Sequence, residues 1–297
     1  MKDRLFKTSK GDILEFDFKN FIENFDILDK DVLVYSRLLD FGRIQNVKAV
    51  ESILSILKKA VGEKGTLLIP TYTLNTYMTP RIYNENKSKI MSGVLGEYSV
   101  KDSDFIRTFH PIYSTSIYGK NRDYYMTQDE TTCFGERSLF DLFSKTNNGI
   151  VLMLGLNFNG PTLYHYYDQK FNAKGRYIKS FKIKIHTTES EYSMKLNSYV
   201  KNRDFYINRF NCLAMFDSLA NKLKLKKTDF IGDGMCHAIS EKTFQKLYKT
   251  ALEVDQEYFL LSKEETWTEY YMKNNFDMFY DSISEEKFQK FKLRWDK

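Results

Sequence analysis

The sequence predicts an α/β protein: a central, mostly parallel or mixed sheet flanked by helices, with helical additions at its periphery. Three observations carry this reading. An apolar run at Val32–Val34, an amphipathic stretch, and a second apolar run at Thr66–Pro70 fall within about 40 residues, the length of a βαβ unit. A third apolar run, Ile150–Leu154, is broken by Gly155, Asn157, Asn159, Gly160 and Pro161, as a strand-to-helix turn would be. Further on, Phe181, Ile183 and Ile185 alternate with Lys182, Lys184 and His186, the period-two signature of a strand with one basic face.

The elements follow in order. Val32–Val34 is a buried strand, and Ser36–Arg43 a loop. Val47, Val50, Leu54, Leu57 and Val61 recur at helical spacing, and Gly62 and Gly65 end that helix. After the Thr66–Pro70 strand, residues 74–104 are polar and read as a surface excursion. Ile112–Tyr118 reads as a strand, Glu136–Phe143 as a helix and Ile150–Leu154 as a buried strand. Asn211–Leu223 and Ser240–Leu252 read as amphipathic helices. Ser282 with Glu285 forms a capping box, and Phe288, Phe291 and Trp295 form an aromatic stripe on a terminal helix. Docking of that stripe on the protein's own core is the simpler expectation; it would also permit a homodimer. No repeat and no clean linker divides the chain. One domain over residues 1–297 is expected, with 262–297 as a C-terminal helical extension.

The 297 residues suffice for a sizeable core, and 42% are hydrophobic. No apolar stretch is long enough to span a membrane, and the first residues are charged throughout, unlike a secretory leader. Cys133, Cys212 and Cys236 are widely spaced, which argues against a disulfide framework or a structural zinc site and suits a reducing cytoplasm. No metal is expected. The net charge of +6 favours anionic partners. Basic and acidic residues are interspersed, so nucleic-acid binding is not expected.

The chemistry concentrates in the sequence GPTLYHYYDQKF. If it is helical, Thr162, His165 and Asp168 lie at i, i+3 and i+6 on one face at the mouth of the sheet. A histidine with a carboxylate three residues on is an oriented general base, or else an ordinary hydrogen-bonded histidine. His186 reads as solvated, and His237 as a loop hydrogen-bonder.

Three segments belong together: FIRTFHPIYSTSIYG with Arg107, His110 and Ser114; CFGERS with Phe134, Gly135 and Ser138; and LMLGLNFNGPTLYHYYD with Gly155, Thr162, His165 and Asp168. With VYSRL (Val34–Leu38) and AVGEKGTLLIPT (Ala60–Thr71), their order resembles the aminoglycoside 3-N-acetyltransferases, antibiotic N-acetyltransferases distinct from the GNAT fold. The departures are Cys133 for a proline, Tyr35 and Arg37 for a histidine and a serine, and Asp168 for a glutamate. Asp168 is shorter by about 1.5 Å, one C–C bond, so the backbone must sit closer.

The resemblance implies transfer of an acyl group from acetyl-CoA or another acyl-CoA to a sugar amine. His165 would be the base, Asp168 would orient it, and Thr162 or nearby turn amides would face the developing oxyanion. Ser36, Arg37, Phe134, Gly135 and Ser138 would meet the CoA donor, and Tyr72 and His110 the acceptor. Ser138 reads equally as a helix cap. Cys133, with His110 as its base, is a lesser alternative as a covalent nucleophile. The basic balance and abundant aromatics point to a nucleotide-linked amino sugar. The alternatives are an aminoglycoside acceptor or a non-catalytic sugar- or nucleotide-binding protein on the same scaffold.

Overall fold

The computed structural model describes residues 3–155, 161–202, 214–260 and 283–297. The chain opens with β1 (Arg4–Thr8), β2 (Gly11–Leu14) and helix α1 (Glu15–Glu23). β3 (Asp31–Ser36), β4 (Arg43–Ile44), α2 (Val47–Val61) and β5 (Thr66–Pro70) follow. Next come β6 (Ile82–Asn84), α3 (Val94–Ser99), β7 (Ile106–Arg107), β8 (Thr115–Gly119), α4 (Arg122–Tyr125), α5 (Leu139–Ser144), β9 (Gly149–Leu154) and α6 (Leu163–Lys170). A hairpin of β10 (Arg176–His186) and β11 (Glu191–Lys201) precedes a helix at Ala214–Lys222. The chain ends with β12 (Lys227–Ile231), β13 (Gly234–Ser240) and helices at Glu241–Val254 and Glu285–Trp295.

The main sheet has seven strands in the order β12-β13-β9-β3-β5-β8-β7. Its centre is parallel, β9 and β5 flanking β3, and its edges are antiparallel. A parallel centre covered on both faces must be apolar on both, which is why these strands read as unbroken apolar runs. Leu33, Leu68, Val151 and Met153 face one core; Val32, Val34, Leu67 and Leu152 face the other. α2 presents Val50, Ile53, Leu54 and Leu57 to the second core, with Asn46 capping its start by accepting from the Ala49 amide.

Residues 74–104 are more than a surface excursion. β6 pairs in parallel with β10, and Tyr83 and Leu95 are buried. The strand expected from Ile112 begins only at Thr115, because the Ile112 and Tyr113 amides are taken up by His110. Ser282 lies outside the described residues; the terminal helix is capped by Ser284, which accepts from the Lys287 amide. Phe291 is fully buried, and Phe288 and Trp295 pack on the same core, so the stripe docks on its own chain. Among the described residues no helix is long and apolar enough to cross a membrane.

Candidate active site

The crevice at the carboxyl ends of parallel strands is where open α/β sheets bind ligands, above all at the point where the strand order reverses. Here that point is β3: the chain passes first to β5 on one side and later to β9 on the other. β3 ends at Ser36 and β9 at Leu154, joined by a bond from the Arg37 amide to the Leu154 carbonyl of 2.8 Å. Gly155 has φ +73°, and a Cβ there would lie 2.3 Å from the Arg37 carbonyl oxygen, so only glycine lets the two strand ends approach this closely. Asn157, Asn159 and Gly160 lie outside the described residues. α6 starts just beyond them, and the Leu163 amide donates to the Tyr35 hydroxyl at 3.2 Å, fixing the helix to the end of β3.

α6 carries Thr162 at its entry, then His165 and Asp168, as the i, i+3, i+6 spacing requires. The His165 side chain is 35% exposed, whereas Asp168 is buried. His165 Nδ1 faces Asp168 Oδ2 at 3.6 Å, longer than a formed hydrogen bond. Asp168 Oδ2 also sits 2.9 Å from Arg176 Nη2, and Oδ1 accepts from the Tyr248 hydroxyl at 2.6 Å. Burial pushes the Asp168 carboxyl up, but the Arg176 charge and the His165 and Tyr248 contacts outweigh it and hold it below the ordinary aspartate value. Burial holds His165 below the ordinary histidine value; the Arg176 and Lys201 charges add to this, and Asp168 opposes it. A neutral imidazole with an accessible edge therefore faces a buried, ionised carboxylate. That arrangement can take a proton from an incoming nucleophile and stabilise the charge that results.

Arg176 and Tyr248 were not visible in the sequence. Arg176 follows Asp168 by a turn and a strand start, and Tyr248 lies 80 residues away in sequence. Neither stands in a motif; only the tertiary fold brings them to the carboxylate.

The other expected residues divide. Phe134 packs its ring 5.4 Å from His165 and forms a wall of the site. Gly135 is tight against its own turn, where a Cβ would lie 2.5 Å from Thr132 Oγ1. Ser36 lies at the strand end, and Arg37 is exposed there, its guanidinium spanning Asp40 at 2.5–2.8 Å. Ser138 is buried and accepts from the Asp141 amide, so the structure uses it as the cap of α5. His110 is buried, and its Nδ1 accepts from the Ile112 and Tyr113 amides at 3.0 and 2.8 Å. It pins a turn. Burial drops its pKa to about 4. Tyr72 is likewise buried, edge-on to Tyr113 at 5.0 Å, and offers no open face to a sugar.

Cys133 is buried, and desolvation raises its thiol to about pKa 11. It is therefore protonated at neutral pH, and His110, committed to its turn, does not serve it as a base. Arg107 and Ser114 tie β5 to the turn after β7: the guanidinium donates to the Thr71 carbonyl at 3.0 Å and to Ser114 Oγ at 2.8 Å. Cys236 is buried and free; Cys212 lies outside the described residues. His237 is buried beside Thr228, and His186 faces Glu191 at 3.2 Å. Among the described residues no group of three or more His, Cys, Asp or Glu side chains is placed to hold a metal ion.

Comparison with known proteins gives a consistent picture. A family model described as aminoglycoside 3-N-acetyltransferase matches residues 33–253. No curated protein matches the sequence. Among solved structures, aminoglycoside acetyltransferase AAC(3)-Xa superposes with a TM-score of 0.69 at 15% identity, covering 83% of this chain and 94% of its own. AAC-IIIb, solved as a binary complex with CoASH, gives 0.65 at 16% identity, covering 80% and 96%. The YokD protein of Bacillus subtilis gives 0.63 at 17% identity, covering 79% and 96%.

Proposed function

This chain belongs to the aminoglycoside 3-N-acetyltransferase family and is, with it, an acyl-CoA-dependent N-acyltransferase; on that premise we propose that His165 is the base that deprotonates a sugar amine for direct acetyl transfer. The observation that carries this is the pairing of a partly exposed, neutral imidazole with an ionised, buried Asp168 at the carboxyl end of the parallel strands.

An ammonium ion is not a nucleophile, so the acceptor amine must lose a proton near the site. With Nδ1 turned to Asp168, Nε2 of His165 is the nitrogen left to take it. The imidazolium formed is then stabilised by the carboxylate, which Arg176 and Tyr248 hold in place. Acetyl-CoA supplies the activated acyl group. In this reading Ser36 and Arg37, at the end of β3, meet the donor, and the Phe134–Gly135 turn walls the site. Thr162, one turn before His165, is the hydrogen-bond donor for the acyl carbonyl. The two buried thiols, Cys133 and Cys236, fit a reducing cytoplasm.

For the acceptor, the family description backs an aminoglycoside better than the nucleotide-linked sugar suggested by net charge. Both present an amine on a sugar ring and ask the same of His165. The test is release of free CoA thiol from acetyl-CoA with each acceptor class. Wild-type protein releases thiol with at least one of them, and His165→Ala slows release by about 100- to 10,000-fold. A wild-type protein that never releases thiol, whatever the acceptor, is a binding protein on a transferase scaffold.

A further inference from the structure

Beside the dyad, the open end of the β10–β11 hairpin forms a cavity of about 530 Å³. Tyr77, Arg81, Tyr177, Lys179, Phe181 and Lys201 line it, and among the described residues no carboxylate does. Arg81 stacks its guanidinium on the Phe181 ring at 5.1 Å. Neither Arg81 nor Lys179 makes an ion pair with a described residue.

The cavity adjoins the proposed reaction centre by two routes. Lys201 pairs across the hairpin with Arg176, which touches Asp168, and the charges of both lysine and arginine reach His165. On the other side, the Tyr77 hydroxyl donates to Cys133 Sγ at 3.4 Å, and the next residue, Phe134, packs on the His165 ring. Three cations and three aromatic rings in one concavity attract an anion joined to a flat or ring-shaped body. The ammonium groups of a polycation would face Arg81, Lys179 or Lys201 there and be repelled, so this cavity favours an anionic acceptor over the aminoglycoside that the family description backs.

We propose that this cavity binds an anionic group, a phosphate or carboxylate, carried by the amino-sugar acceptor and holds the amine toward His165. The proposal rests on the transfer reading above and narrows its acceptor to an anionic amino sugar. The anion has a second source in the phosphates of the CoA donor, so the experiment separates them.

Full-length protein is assayed for thiol release from acetyl-CoA with glucosamine and glucosamine 6-phosphate as matched acceptors. Equilibrium binding of both sugars is measured in parallel, in wild type and in the double variant Arg81→Ala/Lys179→Ala. The expected result is that the phosphate tightens binding by about 10- to 100-fold, the scale of one or two charge-assisted contacts. The double variant loses that gain while its KM for acetyl-CoA stays within about twofold.

Equal binding of the two sugars to wild type overturns the proposal. So does a variant whose KM rises for acetyl-CoA and not for the phosphorylated sugar, since the anion is then the donor's. His165→Ala keeps phosphate-dependent binding while losing thiol release. Phosphate-dependent binding by a wild-type protein that never releases thiol would sink the transfer reading and leave this subsite standing.

Discussion

At the scale of single residues, the site turns on how one carboxylate is shared. Asp168 serves His165, Arg176 and Tyr248 at once, and at the shared Oδ2 the arginine sits closer than the histidine. Arg176 therefore helps keep Asp168 ionised and, by its charge, adds to the burial that keeps His165 neutral. Replacing it with glutamine removes that second effect. The acid limb of the kcat/KM profile of Arg176→Gln should move to higher pH, and Arg176→Lys should restore it; an unshifted limb would show that the arginine does not set the base. In the wild type, activity should rise with pH through a value below the ordinary histidine pKa, because the proposed base, His165, must be unprotonated to act. Tyr248→Phe should cost kcat more than acceptor KM, since it loosens Asp168 without touching a substrate surface.

At the scale of elements, the strand ends position everything else. Gly155 lets β9 turn against β3, and Gly155→Ala forces a Cβ into the Arg37 carbonyl at a left-handed φ. Activity should fall more than stability does, which a thermal melt beside a thiol-release assay will show. α2, by contrast, is far from the chemistry and buys only stability. Ile53 is fully buried in the second core, so Ile53→Ala should destabilise by about 2–5 kcal/mol in urea unfolding. The spacing of α2 was legible because an amphipathic, capped helix declares itself locally, whereas α6 has no side-chain cap and buries residues on several sides. The 74–104 segment was not, because β6 is three residues long and becomes a strand only by pairing with β10, some 100 residues on.

At the scale of the whole molecule, burial converts histidines into an acid-sensitive core. His110 and His237 are buried neutral, with pKa values lowered to about 4 and about 3, chiefly by desolvation. In the unfolded chain each titrates near 6.5, so below that pH the unfolded state binds the extra protons. The native state is thus at full advantage above about pH 6.5 and loses it as pH falls toward the folded values, by about 3–5 kcal/mol for each histidine. Denaturant unfolding at pH 7 and pH 4.5 checks this, and a pH-independent stability across that range would contradict it. The same burial explains which motif residues misled. Tyr72, His110 and Ser138 look chemical in one dimension, yet they fill a core, pin a turn and cap a helix.

The strand–helix–strand core of β3, α2 and β5 is written locally, in periodicities that a few consecutive residues set, and the three-residue spacing of His165 and Asp168 puts them on one face once α6 forms. Packing between distant segments brings Arg176 and Tyr248 to the carboxylate, holds Cys133 as a neutral thiol, and gathers Arg81, Lys179 and Lys201 around one cavity. Those features arise from segments far apart in the chain, and the burial and local field that fix their chemistry exist only once the segments are packed together.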